Sequence, residues 1–389
     1  MFLLYNLLLL LSIPLFPLVK LSVKKRGEVS LLPRLETDFP GAEGRTLLHL
    51  SSIGEVNTAR PLIERLKGEL AITTFTDYGL KRAEELYPQL PKRLLPLDLY
   101  PLTRSFLKKV SPKRLLIFES EVWPSLLKSA VELGVPTYFV SGKIGQNAFK
   151  RLLKFKKHLQ PIFREVEFLA RSSADLERAK ELGFKRVEWV GDLKLDYSPP
   201  EKLPPLKVEG RRRVLIWGST HPGEEELAAE LHFKLKEKFP NLLTVIAPRH
   251  TGRKVNLPGR VLKRSESVRV PEEVDFYLVD TVGELAGLYA YAELCLIGGS
   301  FVPGIGGHNP VESVALKKPT LMGEFATEFR ELSSELSVPL VKVSELYPTL
   351  SSLLSNPELS SKLAESSYNL WREKRGVADR ILSYIGEEN

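Results

Sequence analysis

Short apolar runs alternate with polar loops and with segments whose apolar residues recur three and four positions apart. Thr46 to Leu50 predicts a buried strand, SSIGE a loop, and Asn57 to Leu66 a helix. LAITTFTDYG leads in the same way to a helix over Leu80 to Leu86. KRLLPLDL predicts another short strand, and RLLIFESEVWPSLLKSAVEL a strand, an acidic loop and a helix. TYFVSGKIG, FLARSSADLERAKELG and RVEWVGD continue the series. Strands separated by helices through short links imply an α/β fold with a parallel, doubly wound sheet.

Asp196 to Arg213 breaks this rhythm with four prolines and no periodic apolar face, which marks a boundary. The same grammar restarts with RRVLIWGSTHPGEEE, LLTVIAPRH, FYLVDTVGELAGLYAYA and LCLIGGSFVPGIGGHNPVESVALKKPTLMG. The expected architecture is two Rossmann-like domains, 27–196 and 213–360, joined by a linker at 197–212, with a cleft between them. A helical tail, 361–389, is expected to pack back on the N-terminal domain.

The first 19 residues are nearly uncharged and are followed by Lys20, Lys24, Lys25 and Arg26. Charges after the apolar run, with no small-residue cleavage site, describe an uncleaved anchor over residues 1–26 that leaves the following domain cytoplasmic. Its length is close to the roughly 20 residues of a span. Pro14 and Pro17 weaken a straight helix, so a segment lying in one leaflet, or a buried N-terminal helix, is an alternative. The formal charge of +8 calls for an anionic partner: nucleic acid, a phospholipid surface or a phosphorylated substrate. No RNP-type or zinc-finger pattern is present and the basic residues are dispersed, which argues against nucleic acid. The single cysteine, Cys295, excludes an internal disulfide.

In such sheets ligands bind outside the carboxyl ends of the strands. The second half offers four polar strand-end loops: Ser219 and Thr220; Pro248, Arg249 and His250; the DTVGEL run with Gly283, Glu284 and Leu285; and the glycine-rich stretch ending in Gly307, His308, Asn309 and Glu312. Glycines allow close backbone approach to a phosphate, and Glu312, three residues after a capping Asn309, is placed for a ribose diol; the plain alternative is a tight turn with a capping box. In the first half the loops carry carboxylates: Glu55 in SSIGE, and Glu119 and Glu121 in FESEVWP, with Glu36 further upstream. These suit general-base work or recognition of hydroxyls, or else helix capping and lysine pairing. His49 reads as a core histidine. No P-loop lysine motif, HExxH, GxSxG elbow or strand-end DxD is found, which leaves a transferase needing neither metal nor cofactor.

HLSSIGE, FESEVWPSLL, VGDLKLD, GSTHPGEEE, APRH, DTVGELAGLY and GGSFVPGIGGHNPVE, in this order, resemble the bacterial transferases of 3-deoxy-D-manno-oct-2-ulosonic acid (Kdo). These are membrane-associated GT-B glycosyltransferases of lipopolysaccharide assembly. The resemblance implies CMP-Kdo as donor, a lipid A precursor (lipid IVA) as acceptor, an inverting metal-independent reaction and a place on the cytoplasmic face of the inner membrane. It assigns the donor phosphate to Ser219, Thr220, His308 and Asn309, the ribose to Glu312, and the base region to Arg249 with Gly283, Glu284 and Leu285. Lys194 is then a donor-side cation, and Ser52, Gly54, Glu55, Glu119 and Glu121 face the acceptor. The family's base, a glutamate shortly after the anchor, matches Glu36, although the residues flanking it differ from the family's; Glu28 is the competing glutamate. A UDP-sugar epimerase shares this two-lobed fold and is the alternative.

Overall fold

The computed structural model describes residues 2–13, 30–66 and 68–386. Two compact units divide the chain: Met1–Asp196 with Gly376–Asn389, and Tyr197–Arg375. The first holds seven strands: β1 (Thr46–Leu50), β2 (Leu70–Thr74), β3 (Lys92–Leu94), β4 (Arg114–Phe118), β5 (Thr137–Gly142), β6 (Glu167–Ala170) and β7 (Arg186–Trp189). Their order is β3-β2-β1-β4-β5-β6-β7, and every pair is parallel. Leu48 lies opposite Ile72 on one side and Leu116 on the other. Helices cover both faces, so β1, β2 and β4 are buried along their whole length and read as continuous apolar runs rather than alternating ones.

The helices that matter below are α1 (Phe2–Ser12), α2 (Ile53–Thr58), α3 (Asp77–Leu86), α4 (Tyr100–Val110) and α5 (Pro124–Glu132). Phe106, Leu127, Phe139, Phe163, Phe168 and Phe184 build much of one face of this core, with the Phe163 and Phe184 rings stacked at 4.2 Å. Gly142 closes β5 because a Cβ there would lie 2.5 Å from the Phe168 ring.

The second unit repeats the plan with β9 (Arg213–Thr220), β10 (Leu242–Pro248), β11 (Val261–Lys263), β13 (Phe276–Leu278), β14 (Leu294–Ile297), β15 (Thr320–Gly323) and β16 (Leu340–Val341). They pair in the order β11-β13-β10-β9-β14-β15-β16, again all parallel. Its helices include α6 (Glu224–Lys236), α7 (Val311–Val314) and α8 (Pro357–Lys374). Trp217 and Phe301 pack at 5.1 Å in a core shared with Leu231, Phe276, Leu296 and Leu321. The expected linker 197–212 carries a strand of its own, β8 (Lys207–Val208), which pairs with β12 (Arg269–Val270) inside this unit.

The chain returns to the first unit at Gly376, later than the expected residue 361, so α8 stays with the second unit and only α9 (Val377–Tyr384) crosses back. Asp196 secures that return. Its Oδ1 accepts the N–H groups of Gly376 and Val377 at 2.7 and 3.0 Å, and its Oδ2 that of Ala378 at 2.7 Å. A buried aspartate thus satisfies the otherwise orphaned N–H groups of the first turn. At the other end, α1 is 11 residues long, and among the described residues no helix is long and apolar enough to cross a membrane.

Candidate active site

In each sheet the strand order reverses at one point, between β1 and β4 in the first unit and between β9 and β14 in the second. Loops leaving the strands on either side of such a point diverge and leave room for a ligand. In each unit the polar loops lie at that unit's own reversal point.

In the first unit the loop after β1 starts α2. The Ser52 hydroxyl caps this helix, accepting the Glu55 N–H at 3.4 Å, while Gly54 leaves the outer backbone bare. Glu55 turns back, and its Oε2 and Oε1 accept the Ser51 N–H and Oγ–H, each at 2.6 Å. Burial pushes the Glu55 carboxyl up to about 8, with repulsion from Glu119 and then Glu121 adding to it against the two bonds from Ser51. Those two glutamates come from the loop after β4. Glu119, in the left-handed region at φ 53°, accepts Lys194 Nζ on its Oε1 at 2.6 Å. Glu121 Oε2 accepts His49 Nε2–H and the Trp123 indole N–H, both at 3.0 Å, and His49 Nδ1 lies 3.1 Å from Thr73 Oγ1.

Lys194 also faces Asp192, which Arg171 approaches at 3.4 Å. Burial would raise the Asp192 carboxyl, but Lys194 and Arg171 more than reverse this and hold it below its ordinary value. Glu119 and Asp192 are thus paired with cations, whereas the bonds to Glu55 come from Ser51 and those to Glu121 from His49 and Trp123.

In the second unit, β9 continues through Ser219 and Thr220 to His221. Ser219 takes a left-handed backbone, φ 58°, where the register with β10 shifts. His221 Nε2 lies 2.8 Å from His308 Nε2, with the rings stacked 5.1 Å apart, so the pair bridges the loops after β9 and β14; His250 meets His221 edge-on at 6.0 Å. One imidazole donates and the other accepts. Burial, then Arg249, lowers His308 to about 3, and burial, then His250 and Arg249, lowers His221. The pair is therefore uncharged at neutral pH, and the exposed Arg249 is the cation beside it.

Glu224 holds the glycine-rich loop: its carboxylate accepts the N–H groups of His221, Gly299 and Phe301 at 2.8, 2.7 and 2.9 Å. Gly307 follows at φ 91°, its N–H on Gly299 O, and a Cβ there would press on Met322 and Ala326. Asn309 Oδ1 accepts the Val311 N–H at 3.1 Å. Glu312 sits in the first turn of α7, raised to about 7 by burial against the pull of Arg249.

A family model described as 3-Deoxy-D-manno-octulosonic-acid transferase (kdotransferase) matches residues 25–197. The 3-deoxy-D-manno-octulosonic acid transferase of Haemophilus influenzae is 29% identical over 87% of this chain and 86% of its own length. The probable mitochondrial 3-deoxy-D-manno-octulosonic acid transferase of Arabidopsis thaliana is 30% identical over 80% and 77%. The chain belongs to the Kdo transferase family. It is a glycosyltransferase that transfers Kdo. UDP-GlcNAc 2-epimerase from Neisseria meningitidis has the same overall fold, TM-score 0.58 over 87% of this chain and all of its own, at 15% identity. That likeness is one of GT-B-like fold, which accounts for the epimerase alternative seen in the sequence.

Several of the expected site residues of this Kdo transferase have partners within their own unit. Lys194 belongs to the first unit, where Glu119 and Asp192 face its charge. Glu119 is occupied by the same bond. The Thr220 hydroxyl is buried and donates to Glu225 Oε1 at 2.6 Å, with Arg253 on the same oxygen; it braces the loop instead of offering a proton to phosphate. The Glu284 carboxylate is tied to Arg264 and Thr281, so only its main chain is available beside Gly283 and Leu285. Pro248 is buried at the end of β10. The helix at Glu312 is a single turn, which shifts any anion binding there from a helix dipole to loop N–H groups.

Glu36 is exposed beside the edge strand β3: Arg93 Nη2 donates to its main-chain oxygen at 2.9 Å, and no bond joins its carboxylate to the switch-point glutamates. Glu28 lies outside the described residues. The sequence reading missed His221, Glu224 and the bond from His49 to Glu121. The acidic start of α6, GEEE, was the available signal for Glu224, whereas the two histidine contacts span 87 and 72 residues and leave no local mark.

Proposed function

We propose that this enzyme moves Kdo from CMP-Kdo to a hydroxyl of a lipid A precursor by one inverting displacement, without a metal, at the cytoplasmic face of the inner membrane. The second unit takes the donor. Arg249, the loop N–H groups held by Glu224 and the His221–His308 pair face its phosphate, Glu312 its ribose, and main chain around Gly283 its base. The first unit takes the acceptor, with Glu121 orienting hydroxyls through the oxygen that His49 and Trp123 leave free.

Glu55, not Glu36, takes the proton in this reading. It is the observation that carries the mechanism: a half-buried carboxylate at the switch point, flanked by two others and raised to about 8, is a stronger base than an ordinary carboxylate. The acceptor oxygen bonds to the anomeric carbon, its proton passes to Glu55, and the bond from that carbon to the phosphate oxygen breaks, so CMP leaves with the electron pair. Charge growing on that oxygen meets Arg249 and the loop N–H groups, the kind of contact worth ~2.7–4 kcal/mol in a barrier.

Mass spectrometry of a tetraacylated lipid A precursor incubated with the full chain and CMP-Kdo tests this, and reads the number of Kdo units added. Glu55→Gln is expected to abolish the mass shift and Glu36→Gln to keep it. The reverse result moves the base to Glu36, and an unmodified lipid with intact CMP-Kdo and folded enzyme removes the acceptor assignment.

A further inference from the structure

Arg264 and Ser265 directly follow β11 and are bonded to the loop after β13, residues 280–285, whose main chain takes the donor base in the proposed reaction. Arg264 is buried, 6% exposed, and grips Glu284 through a fork: Nη2 donates to Oε1 at 2.6 Å and Nε to Oε2 at 3.1 Å. The guanidinium is itself held, because Nη1 donates to Pro205 O at 2.6 Å and to Tyr277 Oη at 3.3 Å. Thr281 Oγ1 donates to the same carboxylate. Arg264 is the main influence that keeps the Glu284 carboxyl below its ordinary value, so this end of the loop stays charged near neutral pH. Ser265 ties the other end. Its N–H and Oγ–H donate to Asp280 Oδ1 and Oδ2 at 2.9 and 2.6 Å. Between the two tied carboxylates lie Val282, 84% exposed, and Gly283, at φ 87° with open space where a Cβ would stand.

A peptide beside glycine turns over easily, since glycine takes either sign of φ at similar cost. For a loop that reads a base this freedom is harmful. Cytosine presents an amino donor beside a ring-nitrogen acceptor, whereas uracil presents a carbonyl acceptor beside an N–H donor. A main-chain N–H and C=O at fixed spacing match one base and oppose the other, but only while the peptide cannot turn. We propose that Arg264 and Ser265 are the specificity brace of the donor site: without touching the nucleotide, they hold the main chain of residues 280–285 in the one orientation that accepts cytosine and refuses uracil. Both are positioning residues, acting through Glu284 and Asp280. A buried ion pair adds little net stability over apolar groups of the same volume, whereas a two-pronged guanidinium–carboxylate contact fixes direction as well as distance. The inference rests on the assignment of the donor base to this loop.

The test uses the full chain with CMP, UMP and ribose 5-phosphate as probes, in calorimetry and in hydrogen exchange over residues 280–285. The wild type is expected to bind CMP about tenfold or more tightly than UMP, and its loop to be protected by CMP but not by ribose 5-phosphate. Arg264→Ala is expected to bring the two nucleotides to within about twofold of each other while leaving ribose 5-phosphate affinity unchanged. Arg264→Lys keeps the charge but not the fork, and its preference is expected to fall between those of the wild type and Arg264→Ala. Ser265→Ala, at an exposed position where folding is not at risk, is expected to lower the preference for CMP by a smaller factor. In turnover each variant is expected to raise the donor KM and to leave the acceptor KM unchanged. A wild type that binds CMP and UMP alike, variants that keep the full preference, or an equal loss of affinity for all three probes would each overturn the brace while leaving the base in this loop. Absence of base-dependent protection in the wild-type loop would instead remove the base from it, and the inference with it.

Discussion

At the level of single residues, the proposed reaction turns on Glu55. Burial, helped by repulsion from Glu119 and Glu121, raises it to about 8, so the basic form is the minor one at neutral pH and fills in as pH rises. The expected kcat/KM therefore climbs through about pH 8 and levels off above it, and a pH–rate profile checks this. Glu55→Gln is expected to remove that limb and lower kcat by about 10²–10⁴-fold with little change in acceptor KM. His49→Phe, which deletes one of the two donors on Glu121 Oε2, is expected to raise acceptor KM more than it lowers kcat, and steady-state kinetics separates the two effects. The sequence offered Glu55, Glu119 and Glu121 as equals, each with a plain alternative. Glu55 does bond to Ser51, and Glu119 does pair with a lysine. What separates the three is the partner each meets, Ser51 for Glu55, Lys194 for Glu119, and His49 with Trp123 for Glu121, and Lys194 stands 75 residues from Glu119. No local pattern carries that distance, whereas it is the family resemblance that points to Glu36 as the base.

Among elements, two acidic side chains act as braces. Glu224 ties three N–H groups of the loops after β9 and β14, and charge-assisted bonds of this type are worth about 1.5–3 kcal/mol each. Glu224→Ala is expected to loosen the glycine-rich loop and weaken CMP binding by about tenfold or more, measured by calorimetry. Asp196→Ala strips the start of α9 and is expected to cost about 2 kcal/mol or more in denaturant unfolding, with faster amide exchange over Val377–Tyr384. The strand-loop-helix series was legible because burial of both sheet faces gives each strand a continuous apolar run. The extent of the tail was not: Pro357 to Ile385 is helical in propensity throughout, and only the break at Gly376, with φ 86°, and the aspartate waiting at residue 196 separate α8 from α9.

For the whole molecule, two units with separate cores imply separable responses to ligand. CMP at 100 times its Kd is expected to stabilise the second unit by about 2.7 kcal/mol. Hydrogen exchange should then slow across β9, β10 and β14 and leave β1, β4 and β5 nearly unchanged; equal protection of both cores would overturn the donor assignment to the second unit. By itself the sequence determined the α/β class, the repeated doubly wound plan, the family and the loops that carry the chemistry. Each of these follows from local periodicity or from residues a few positions apart. Only the tertiary structure decided which polar groups are already spent on one another, where the chain returns to its first unit, and which face of the N-terminal helix is bonded into the fold. Those outcomes depend on charges and hydrogen-bond donors brought together across 72 to 182 residues. In a buried setting each such group must find its partner wherever the fold places one.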